Sequence, residues 1–72
     1  MTRAVVERLI SLSHDPNNEV KAAAAYALGE SGGAVRSVIE RLLQMTHDPD
    51  LSVKLSATKA LGRLFRPSSI KK

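Results

Sequence analysis

Apolar residues recur every three or four positions in four stretches of this 72-residue chain, with polar residues opposite them, and that spacing predicts four amphipathic helices. The first covers Arg3 to Ser13, with Val5, Val6, Leu9, Ile10 and Leu12 on one side and Arg3, Glu7, Arg8 and Ser11 on the other. The second runs from Asn18 to Glu30 on Val20, Ala23, Ala24, Ala27 and Leu28. The third spans Ala34 to Thr46 and should bury Val35, Val38, Ile39, Leu42, Leu43 and Met45. The fourth spans Leu51 to Phe65 and should bury Val53, Ala57, Ala60, Leu61, Leu64 and Phe65.

The breaks between these stretches have physical causes. In His14-Asp15-Pro16-Asn17-Asn18 and His47-Asp48-Pro49-Asp50, proline disfavours a helical residue before it, and Asp and Asn bond back to local backbone. Asn17 and Asp50 are therefore the expected N-caps, and Glu19 places a negative charge at the positive end of the second helix. Ser31-Gly32-Gly33 closes that helix, since glycine takes the left-handed C′ conformation without steric cost. Pro67 ends the fourth helix.

The pattern is written twice. Residues 1–31 laid on 34–64 give 14 identities in 31 positions: Arg3, Val5, Glu7, Arg8, Leu9, His14, Asp15, Pro16, Val20, Lys21, Ala24, Ala27, Leu28 and Gly29. A period of 33 residues at this level of self-similarity is that of stacked supersecondary units. Each unit is a helical hairpin, and tandem hairpins stack into a right-handed solenoid. The expected fold class is all-α, an α-α superhelix of two hairpins. Residues 1–66 are expected to form a single domain, with units at about 3–31 and 34–65, and residues 67–72 a basic C-terminal tail.

Composition narrows what such a stack does. A chain this short buries only about 60% of the surface its unfolded form exposes. With no cysteine, it has neither a disulfide nor a Cys/His zinc spacing to reinforce a small core. No apolar run approaches the length of a membrane span, and Arg3, Glu7 and Arg8 interrupt the stretch where a signal peptide would be apolar, so a cytoplasmic protein is the default expectation. The net charge of +4 is unevenly placed: −2 over residues 1–50 and +6 over residues 51–72.

His14 and His47 recur in equivalent turns, each before an Asp, but duplication of a turn whose aspartate binds backbone amides accounts for both without a metal. Asp15, Asn17 and Glu19 open like a calcium loop, yet Val20 stands where glycine is required and Tyr26 where a bidentate Glu belongs. Gly29-Glu30-Ser31-Gly32-Gly33 lacks the Gly-Lys-Ser/Thr ending of a phosphate loop. Adjacent Ser13, His14 and Asp15 cannot form the converging hydrogen bonds of a triad. Neither catalysis nor a cofactor is expected.

What remains is surface. Opposite the apolar stripe, the fourth helix presents Leu55, Lys59, Gly62, Arg63 and Arg66, and the second presents Ala22, Tyr26, Gly29 and Glu30 on the matching side. Tyr is enriched at binding hot spots, so Tyr26, Glu30, Leu55, Lys59 and Arg63 are the candidate partner-binding residues. The basic stripe of Lys59, Arg63 and Arg66 with Lys71 and Lys72 raises nucleic acid as an alternative partner. One Tyr and one Phe are too few for base stacking, and Glu19 and Glu30 stand on the neighbouring face, so a protein partner is the better expectation.

Asp15-Pro16, Glu19-Val20-Lys21, Ala23-Ala24 and Ala27-Leu28-Gly29, with their copies Asp48-Pro49, Val53-Lys54, Ala57 and Ala60-Leu61-Gly62, resemble HEAT repeats, most closely the short HEAT-like repeats of phycobilisome-lyase-type proteins. The resemblance implies a scaffold that binds a partner along the concave face of its second helices, or an accessory subunit of an enzyme. HEAT-like hydroxylases hold a di-iron centre with paired His-Glu dipeptides; this chain has none. Helical repeats usually need about three units for stability, with polar faces on the terminal ones. Two units with apolar stripes at both ends are therefore expected to form a homo-oligomer, end to end or two-fold, or to belong to a longer repeat array.

Overall fold

The computed structural model describes residues 2–31, 33 and 35–65. Among these residues four helices occur in the order expected: α1 (Arg3–Leu12), α2 (Asn18–Ser31), α3 (Arg36–Met45) and α4 (Leu51–Leu64). Residues 66–72, which hold Pro67 and the basic Arg66, Lys71 and Lys72, lie outside the described residues.

The helix starts follow side-chain chemistry. Asn17 Oδ1 accepts from the Glu19 and Val20 N–H groups at 2.8 and 3.1 Å, and Asp50 Oδ2 accepts from the Val53 N–H at 3.1 Å, so both predicted N-caps form. In the turns before them, Asp15 and Asp48 accept from the N–H two residues on, at 2.9 and 2.8 Å. After α2, Gly33 takes a φ of 74°, the left-handed conformation glycine tolerates.

The α2 and α4 helices make the most extensive contact, and α3 packs on α4 as α1 packs on α2. Ala25, Leu28, Val38, Leu42, Met45, Val53, Ala57 and Ala60 form the buried core. Its composition explains its compactness. Small residues on α2 and α4 let the two axes approach closely, while the large side chains of α3 fill the space behind them.

Several predicted positions lie elsewhere. Val35 is exposed because α3 begins at Arg36, leaving Val35 as an extended N-cap with φ −85° and ψ 142°. Phe65, expected inside, is 56% exposed, since it is the C-cap of α4 and has left the helical stripe. Leu43 is also exposed: it is the counterpart of Ile10, which packs on the core, but no described residue covers Leu43. On α2 the inner face is rotated from expectation, with Ala25 buried and Ala23 exposed. That rotation turns Gly29, expected on the outer side, into the joint with α4.

Candidate interaction surface

The close approach of α2 and α4 determines what the outer face can present. A Cβ at Gly29 would lie 2.5 Å from both Cα and Cβ of Ala60, so the α2 backbone rests directly on α4 at that point. One residue on, Arg63 Nε meets Glu30 Oε2 at 2.9 Å. Near the other end, Lys21 Nζ meets Asp48 Oδ2 at 2.8 Å, just ahead of the α4 N-cap. Contacts at both ends in matching order mean that α2 and α4 run parallel.

On this frame Tyr26 and Lys59 occupy equivalent positions of adjacent parallel helices, and both are exposed, Tyr26 to 58%. Glu30 and Arg63 are likewise equivalent, and they pair with each other. Four of the five predicted surface residues thus share one face. Leu55, 47% exposed, sits at its margin: its counterpart Ala22 packs against the core where the first unit meets the second. The face is mixed in sign, because Glu30 offsets the charge of Arg63. His14 and His47 are exposed turn residues whose N–H groups bond the Ser11 and Gln44 carbonyls.

The joint between the units holds polar residues that the pattern of apolar positions does not single out. Arg41 donates from Nε to Ser13 Oγ at 2.8 Å and from Nη2 to the Ser13 carbonyl at 2.9 Å, and a third bond from Nη1 reaches Gln44 at 2.9 Å. Ser13 is fully buried, and its hydroxyl donates to the Ile10 carbonyl. Burial pulls the Arg41 pKa down while the charge of Asp48 works the other way. The Asp48 carboxyl is held below the usual carboxylate range, first by the hydrogen bond from Lys21 and then by the Asp50 N–H. Both side chains of the Lys21–Asp48 pair are mostly covered, at 19% and 15% exposure. Arg8/Arg41, Asp15/Asp48 and Lys21/Lys54 are charged identities of the repeat, but so are Arg3/Arg36 and Glu7/Glu40, which form exposed pairs within α1 and α3, so identity alone does not single out the joint.

On the far side of the first unit an open groove of about 410 Å³ runs between α1 and α2, lined by Leu9, Leu12, Val20, Ala23, Ala24 and Ala27, with Glu19 at its edge. No α1 residue is fully buried. Among the described residues no three His, Cys, Asp or Glu side chains converge on a point that could hold a metal. Nor is any helix long and apolar enough to cross a membrane.

No curated protein and no solved structure matches the chain significantly. The family model for HEAT repeats matches residues 2–72, while the narrower likeness to phycobilisome-lyase-type repeats rests on the motif alone. Two helical hairpins stacked in register, bonded unit to unit and matched over nearly the whole length, place this chain in the HEAT repeat family.

Proposed function

We propose that the chain is a non-catalytic protein-interaction module that receives its partner on the outer face of α2 and α4. Tyr26 is the anchor, Lys59 and the Glu30–Arg63 pair form its polar surround, and Leu55 lies at the margin. HEAT repeats generally serve as protein-interaction scaffolds. The observation carrying the reading is Tyr26: a large amphipathic ring left 58% exposed on a helix whose opposite side is locked into the core. Mixed charge around it suits a protein surface better than a phosphate backbone, which draws its affinity from uncompensated cations.

The test compares immobilised wild type with Tyr26→Ala in a native lysate, quantifying each retained protein. A partner held by the wild type and reduced at least tenfold by the variant supports the proposal, provided circular dichroism shows unchanged helicity. Equal retention by both, or retention of nucleic acid that high salt removes, sinks it.

A further inference from the structure

The groove between α1 and α2 is the counterpart of a surface that is filled inside the molecule. Adding 33 to Leu9, Leu12, Val20, Ala24 and Ala27 gives Leu42, Met45, Val53, Ala57 and Ala60, all of them buried in the joint and the core behind it. The opposite end of the stack carries the counterparts of the residues by which the first unit meets the second, with Leu55 in the place of Ala22 and Thr58 in that of Ala25. There Leu43 and Leu55 are exposed, and a Cβ at Gly62, the counterpart of Gly29, would touch no described residue within 4 Å.

The polar parts of the joint recur at the same two ends. Inside the molecule Arg41 donates to Ser13, and Lys21 pairs with Asp48. Their counterparts are Arg8 and Asp15 beside the groove, and Thr46 and Lys54 at the far end. Thr46 is already shaped for the role, its hydroxyl donating to the Leu43 carbonyl at 2.6 Å as that of Ser13 does to Ile10. Asp15 is held by the Asn17 N–H as Asp48 is by that of Asp50. The Arg8 and Lys54 side chains have no hydrogen-bonding or ionic partner among the described residues.

We propose that these ends bind each other between copies: the α3/α4 end of one molecule docks head to tail into the α1/α2 groove of a second copy of this chain. Lys54 pairs with Asp15 of the next copy, Arg8 of the next copy donates to Thr46, and Gly62 admits the close helix approach that Gly29 admits within the chain. The occupant is a second copy because both halves of the contact, apolar, ionic and hydrogen-bonding, stand on one chain in the register its own units use. Such a contact is heterologous and propagates into a ring or an open filament. A two-fold dimer through the groove would instead set the groove against itself and leave Lys54 and Thr46 unused.

Sedimentation velocity across a hundredfold dilution tests it, with Asp15→Lys, Lys54→Asp and the doubly substituted chain beside the wild type. The wild type should grow in mass with concentration, and its melting temperature should rise in step. Each single swap should weaken association about tenfold or more through like-charge contact. Mixing the two single variants should restore assembly, because each then offers the end the other lacks, and the double swap should restore it within one chain. Leu43→Glu, away from the turns and exposed, should block assembly with helicity retained, which keeps the test decisive if Asp15→Lys disturbs its turn. Tyr26→Ala should assemble like the wild type, separating this contact from the partner-binding face. A wild type that stays monomeric throughout, swaps that associate as well as the wild type, or a mixture that fails to recover while Leu43→Glu still assembles would each overturn the proposal.

Discussion

Gly29 and Gly62 are the same residue of the repeat in opposite circumstances. At Gly29 a methyl group would overlap Ala60, and the only relief is to move α2 and α4 apart. At Gly62 no described residue stands in the way, and alanine would remove backbone freedom from the unfolded chain. Gly29→Ala should therefore destabilise the fold by about 1–3 kcal/mol, whereas Gly62→Ala should stabilise it by about 0.5–1 kcal/mol. Urea denaturation of both at low protein concentration checks this, and equal effects would mean that the close approach at Ala60 does not constrain the stack. Helical periodicity identified Gly29 as part of the repeat but assigned it to the wrong side. Its role depends on which helix lies against it, a fact carried by Ala60, 31 residues further along.

Among the elements, α1 and α3 show how one template is used with different fidelity. Thr2 caps α1, its Oγ1 accepting from the Val5 N–H at 3.3 Å. The equivalent residue before α3 is Val35, which has the right extended backbone but makes no side-chain cap bond and leaves its own apolar surface exposed. Val35→Thr should thus recover the cap at no packing cost and stabilise the protein by about 1 kcal/mol. A shift of the urea midpoint to higher concentration with unchanged slope is the expected result. An unchanged midpoint would show that the start of α3 is frayed regardless of the cap. The helices themselves were legible from spacing, and the Asx caps from residue type. The true start of α3 was not, because Val35 satisfies the apolar periodicity although it stands outside the helix.

For the whole molecule, the joint between units links stability to pH. The Lys21 hydrogen bond lowers the Asp48 pKa in the folded state, and the Ser52 hydroxyl, followed by the Val53 N–H, does the same for Asp50. A carboxylate whose pKa is lowered on folding adds stability above its unfolded value, about 3.9, and that contribution is lost as pH falls through the folded value. The protein should hold its urea midpoint from neutral pH down to about pH 4 and lose it below, as the joint and the α4 cap are protonated. Asp48→Asn should be less stable at neutral pH and show a shallower loss in acid. A variant with the same acid dependence as the wild type would show that the Lys21–Asp48 pair is not the source.

The sequence by itself determined the four helices, their turns, the Asn17 and Asp50 caps and the 33-residue register, because each depends on residues within a few positions of one another or on plain repetition. It also determined that Tyr26 and Lys59 share a face, since equivalent positions of equivalent helices must. Only the tertiary structure decided which alanines are core, that Glu30 and Arg63 neutralise each other, and that Lys21, Asp48, Arg41 and Ser13 bind one unit to the next. These outcomes depend on the rotation of α2 about its own axis against α4. On an alanine-rich helix the hydrophobic pattern leaves that rotation nearly undetermined, and backbone contact between Gly29 and Ala60 sets it.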